Sequence, residues 1–233
     1  MLKKIASWSL WIGFIVHVFF IAPPAQPDSV ELIKNLSIGQ WQDINPLVIS
    51  LFSIMGIWPL IYSCLLLFDG RGQKVPAWLF STLSFGVGAF AILPYLGLRK
   101  SYPEFSGKKN WLLNILDTPI LAILLTVVTS IFLIYGLKNG DWENFIQQYQ
   151  NSRFINIVTL DFGMLCVSFH ILQADDMKRR GMKKYPLYWL GLVPLLGPLI
   201  YLCVRPQQQC GALSLLPETN TTTTLSQQHS ATN

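Results

Sequence analysis

Charge is what this chain has little of. Only 12% of its 233 residues are Asp, Glu, Lys or Arg, while 52% are hydrophobic. A soluble domain carries about 25% charged residues. Half that density cannot cover a surface facing water, so the chain is solvated by lipid. Cysteine is sparse as well. Cys64, Cys166, Cys203 and Cys210 form no Cys-x-x-Cys pair and no even framework, which excludes a zinc ribbon and a disulfide scaffold. Reaction motifs are absent too: there is no Gly-rich phosphate loop, no His-Glu-x-x-His and no Gly-x-Ser-x-Gly. Asp175-Asp176 precedes a basic run, as in the diphosphate sites of prenyl-transferring enzymes, but lacks a third acid and a second such segment. Asp69-Gly70-Arg71 begins like a phosphoalcohol-transferase motif without the spaced aspartates that should follow. The net charge of +5 comes from short Lys/Arg clusters between apolar runs. Such clusters set topology and meet anionic headgroups, so no nucleic-acid partner is expected.

What the chain does have is long apolar runs. About 20 apolar residues cross a bilayer as a helix, and six runs qualify: Ile5–Ala22, Leu47–Phe68, Val75–Leu98, Trp111–Leu137, Phe154–Ala174 and Tyr185–Val204. In lipid each backbone must satisfy its own hydrogen bonds, so the runs predict helices. The expected fold is all-α, a polytopic bundle of six transmembrane helices over residues 1–206, followed by a disordered polar tail over 207–233. The first run is too long and too proline-terminated for a cleaved secretory signal, and reads as a retained helix. Ser29–Leu36 has helical apolar spacing and should lie on the membrane surface. Residues 139–151 read as a solvated connector, and Asp69–Lys74 as the tight turn of a hairpin.

Six crossings put both termini on one side. That side then holds seven Lys/Arg (Lys3, Lys4, Arg71, Lys74, Lys138, Arg153, Arg205) and the other holds ten. The positive-inside rule places the richer side in the cytoplasm or its equivalent, with both termini opposite.

Polar side chains within the runs are the candidate functional residues, because an ionisable group in a bilayer is costly. On the six-span topology His17, Tyr95, Asp117 and His170 come from four helices and share one depth, the two imidazoles about 6 to 8 Å inside the boundary at 1.5 Å per residue. Convergence of these four would make a proton or quinone-type polar site, or a metal or haem site. The competing reading is interfacial, with His and Tyr reaching toward headgroups and Asp117 serving the Thr118-Pro119 helix start. Asp161 is the deepest charge and shares a face with Ser168. Ser84 and Gly88 form a small-xxx-small pair suited to close helix packing, and Pro194 and Pro198 must kink the sixth run. No metal ligand set emerges from the spacing, and the sequence leaves any cofactor unknown.

The stretch Gln173-Ala174-Asp175-Asp176, Lys178-Arg179-Arg180-Gly181, Leu187-Tyr188-Trp189 and Pro194-Leu195-Leu196-Gly197-Pro198 resembles a domain of unknown function in small bacterial membrane proteins. Asn45-Pro46, Trp58-Pro59, Leu67-Phe68-Asp69-Gly70-Arg71 and Val75-Pro76-Ala77-Trp78 resemble uncharacterised cyanobacterial and plastid membrane proteins. The resemblance spans about two thirds of the chain. It implies a photosynthetic source, which goes with residence in the cell inner membrane or thylakoid, and it carries over no catalytic residues, which stay unknown. Three functions stay open: a non-enzymatic factor binding membrane proteins or lipophilic pigments during assembly or maintenance of a photosynthetic membrane, an intramembrane enzyme acting on an isoprenoid or lipid, and a small proton-coupled transporter. The enzyme requires a wet cavity at Asp161. The transporter would be favoured by inverted repeats, and spans one to three show no convincing similarity to four to six.

Overall fold

The computed structural model describes residues 2–101, 108–182 and 187–208, which are all-α with four helices long and apolar enough to cross a membrane. Helix α1 (Leu2–Val16) ends in a π-helical turn, His17–Ile21. A short α2 (Ser29–Ile38) closes at Gly39 in the left-handed conformation. Helix α3 (Pro46–Asp69) starts at Asn45, whose side chain accepts from the Leu47 amide at 3.0 Å, with Pro46 in the first turn where its missing N–H costs nothing.

The third apolar run is not one helix. It is broken into α4 (Ala77–Val87) and α5 (Ala89–Leu98) at Gly88, which has φ +51°. Asp161 fills the space a Cβ on Gly88 would need, so only glycine fits. The chain then reverses. Phe80 of α4 packs on Tyr95 of α5, and Lys100 returns to the turn that α4 left, its amide donating to Gln73 at 2.9 Å.

After α6 (Trp111–Leu116), helix α7 (Pro119–Asn139) begins at Thr118, with Pro119 in its first turn. Residues 139–151 are more than a solvated connector: Asp141 caps a ten-residue α8 (Trp142–Asn151), accepting from the Asn144 amide at 3.0 Å. Helix α9 (Arg153–Arg179) follows. The sixth run is also broken, into α10 (Leu187–Leu190) and α11 (Leu196–Val204), with Leu195 at φ +63°. It too returns: Gln173 on α9 donates to the Leu187 carbonyl at 3.0 Å, and Arg205 comes back to Asp176 at 3.1 Å.

The two reversals set the sense of every later helix. Lys3 pairs with Asp175 at 3.2 Å and His17 meets Asn156 at 2.7 Å, so α1 and α9 are antiparallel. Six crossings would have made them parallel. One end of the bundle therefore gathers Lys3, Lys4, Arg71, Lys74, Arg99, Lys100, Lys108, Lys109, Lys178, Arg179, Arg180 and Arg205. Lys34, Lys138 and Arg153 lie at the other. Twelve cations against three among the described residues is a far stronger asymmetry than the ten against seven of a six-span reading, and both the start of α1 and the end of α11 lie at the richer end.

The same reversals make the chain repeat. Long helix, short helix, long helix and broken hairpin occur once as α1, α2, α3 and α4/α5, and again as α7, α8, α9 and α10/α11. The repeat was missed in the sequence because only a few residues carry it. Tyr95 follows Asp69 by 26 residues and Tyr201 follows Asp176 by 25, each tyrosine four residues before an arginine. The core lies between α3 and α9, where Trp58, Tyr62 and Phe169 are fully buried and the Tyr62 hydroxyl donates to the Leu165 carbonyl at 2.7 Å. Lipid offers little hydrophobic drive for helix association, so such close packing and interhelical hydrogen bonds hold the bundle. The tail over 209–233 lies outside the described residues. Gln208 belongs to the fold, its amide donating to Asp117 at 2.7 Å.

Candidate functional site

At the basic end the C-termini of α3, α5, α9 and α11 converge, and each ends on or is followed by a charged residue: Asp69, Arg99, Arg179 and Arg205. Four buried carboxylates, Asp69, Asp117, Asp175 and Asp176, sit among arginines. Asp69 accepts from Tyr95 at 2.8 Å and Arg179 at 2.9 Å. Arg99 pairs with both Asp69 and Asp175. Asp176, only 1% exposed, accepts from Tyr201 at 2.7 Å, Arg180 at 2.9 Å and Arg205 at 3.1 Å. Asp117 binds Lys109 at 2.6 Å and Arg180 at 2.7 Å. Burial by itself lowers the Arg180 pKa, but Asp176 and Asp117 hold it above the ordinary value, so the guanidinium stays charged.

The duplicated triads explain the geometry. Asp69 at the end of α3 with Tyr95 and Arg99 of the first hairpin repeats as Asp176 near the end of α9 with Tyr201 and Arg205 of the second. Cations near helix C-termini are favoured by the helix dipole, and each carboxylate neutralises the arginine beside it. Arg205 also donates to the carbonyls of Cys64 and Leu116, both at 3.0 Å, pinning the ends of α3 and α6. The aspartate pair that fails as a diphosphate motif is thus an arginine-bound anchor.

Tyr95 and Asp117 belong to this network. His17 does not. It is at the opposite end, on Asn156, whereas His170 faces Gln173 at 3.2 Å and Tyr188. Asn156 and His170 are fourteen residues apart on one helix, about 21 Å at 1.5 Å per residue. Joint coordination at metal bond lengths of about 2 Å is impossible, so His17 and His170 share no metal. The two imidazoles are separated because α1 and α9 are antiparallel, not parallel as six crossings would make them. Among the described residues no group of three or more His, Cys, Asp or Glu is placed to hold a metal.

Asp161 lies apart from the network, at the turn of the first hairpin. Its Oδ1 accepts from the Ala89 amide at 2.6 Å, the first amide of α5. A cavity of about 380 Å³ reaches it from the side of α2, lined also by Phe52, Met55, Phe85 and Phe154. Ser84 and Gly88, expected as a helix-packing pair, are where α4 meets this cavity. The sequence names Asp161 as the deepest charge but carries no sign of the reversal that brings Gly88 onto it. Comparison with protein-family models, with curated proteins and with solved structures finds no match.

Proposed function

We propose that this chain is a non-enzymatic integral membrane factor that binds a lipophilic ligand or a membrane protein partner, acting in assembly or maintenance of a photosynthetic membrane. The observation carrying it is the closed state of the polar centre: each buried carboxylate at the basic end is engaged by arginine or lysine, so that among the described residues this cluster is a rigid anchor with no unpaired carboxylate. The photosynthetic setting rests on the resemblance of the α3 to α4 region. In the membrane α1, α3, α7 and α9 span, while the two broken hairpins dip in from the basic side and return. The basic side, with both termini, faces the cytoplasm or its equivalent.

A second reading has one observation in its favour. The cavity reaching Asp161 is what an intramembrane enzyme acting on an isoprenoid or lipid requires, with Asp161 as its acid. The test is purification of the tagged chain in mild detergent, with an absorption spectrum and mass spectrometry of what accompanies it. A pigment or membrane protein in stoichiometric amount is expected. A colourless chain that purifies alone and converts an added prenyl lipid would overturn the binding reading in favour of the enzyme.

A further inference from the structure

The cavity at the first hairpin presents acceptors to its contents, and those acceptors sit among aromatic rings. Three independent features make it so. The Asp161 carboxylate, 8% exposed, uses Oδ1 on Ala89, and Oδ2 has no donor among the described residues. Helix α4 ends here, at Phe85 to Val87, and the last carbonyls of a helix have no intrahelical donor. The amide that would have continued the ladder, that of Ala89, is spent on Asp161. Met55 lines the same cavity, and its carbonyl lacks its ladder donor because residue 59 is proline.

The positive end of α5 is met by Oδ1 through the Ala89 amide, so what faces the cavity is the unused Oδ2 and the negative end of α4, and together these favour a cation. The remaining wall is apolar and aromatic. Phe52 and Phe154 lie 6.1 Å apart with Phe85 nearby, and ring faces attract ammonium groups. Gly56 and Gly86 complete the wall, and nothing stands within 4 Å of where a Cβ on either would be. The site is six to ten residues along α3 from Pro46, roughly 9 to 15 Å from that end at 1.5 Å per residue. Phe85, Gly86 and Val87 are exposed on the bundle's outer face, so the opening is toward lipid and not toward a central channel. Non-helical backbone at such a place needs a partner for its polar groups.

We infer that this cavity binds a lipophilic ammonium, a cationic amine head on an apolar body, with the head between Asp161 and the α4 carbonyls and the body along Phe52, Phe85 and Phe154. The inference rests on the ligand-binding reading above and names the chemical class of that ligand. A free amine and the ammonium of a lipid headgroup share this chemistry.

The experiment uses the full chain in phosphatidylglycerol nanodiscs with diazirine-tagged decylamine, decanol and decanoate, followed by peptide mapping of the crosslinks. A charge-assisted hydrogen bond contributes about 1.5 to 3 kcal/mol, so the amine should label the peptides containing Phe52, Phe85 and Phe154 about ten-fold or more above decanoate. Asp161→Asn and, separately, Gly56→Leu should each remove that excess. Gly56→Leu fills the cavity without touching the carboxylate, and decides the matter alone if Asp161→Asn fails to fold. A diazirine phosphatidylethanolamine, run in parallel, labels the same peptides if the natural source is a headgroup and leaves them unlabelled if it is a free amine. Equal labelling by decylamine, decanol and decanoate, or amine labelling that survives both substitutions, would overturn the inference. A labelled cavity with no co-purifying partner or pigment leaves it standing and sinks the assembly role. An unlabelled cavity with a partner does the reverse.

Discussion

Lys3 and Asp175, 172 positions apart, meet at 3.2 Å. The pair holds the start of α1 beside the end of α9, and with His17 on Asn156 at the far end it makes these helices antiparallel. Which helix ends share one end of the bundle follows from that.

The topology predicts that cysteines introduced at Gln73 and Lys108 label from the same side of the membrane, and a cysteine at Asp141 from the other. Six crossings would separate Gln73 from Lys108. Impermeant maleimide labelling of sealed vesicles reads the outcome directly.

Removing one partner of a buried ion network leaves the others uncompensated, at about 3 to 5 kcal/mol. Asp176→Ala should lose that much, because Arg180 and Arg205 both depend on it. Tyr201→Phe removes only a hydroxyl donor to the same carboxylate and should cost about 1 to 3 kcal/mol. Denaturation in matched micelles checks the ranking, and equal losses would contradict the central place given to Asp176.

Two neighbouring glycines should behave oppositely. Gly88→Ala places a methyl on the Asp161 carboxylate at a positive φ and should lose about 1 to 3 kcal/mol or more. Gly86→Ala meets open space and should change stability by less than about 0.5 kcal/mol. The melting temperatures of the two variants decide it.

His17 and His170 should act independently. The single alanine variants and the double variant should show additive losses within about 0.5 kcal/mol, as distant sites do, and metal content by elemental analysis should be the same in all. Coupling or a lost metal would restore a shared site.

Truncation after Gln207 removes the Gln208 amide from Asp117, while truncation after Gln208 keeps it. The first should be less stable by about 1.5 to 3 kcal/mol, the value of a hydrogen bond to a charged group. Identical melting of the two would place the end of the fold before residue 208.

Composition alone determined that this is an all-α membrane chain, because 12% charge cannot solvate a surface and apolar runs in lipid can only be helices. Helix starts were equally local: Asn45-Pro46 and Thr118-Pro119 supply a cap and a proline within three residues. Whether an apolar run crosses or turns back is not local. Val75–Leu98 has the length of a span, and it reverses because Asp161, more than 70 residues later, occupies the space beside Gly88 and takes the Ala89 amide. That single reversal changes the parity of all that follows. It separates His17 from His170, joins Tyr95 and Asp117 in one network, and collects eleven of the twelve cations at one end, Arg205 being returned there by the second reversal. Hydropathy measures how long a run is, while direction is decided by which distant side chain satisfies the backbone where the helix breaks.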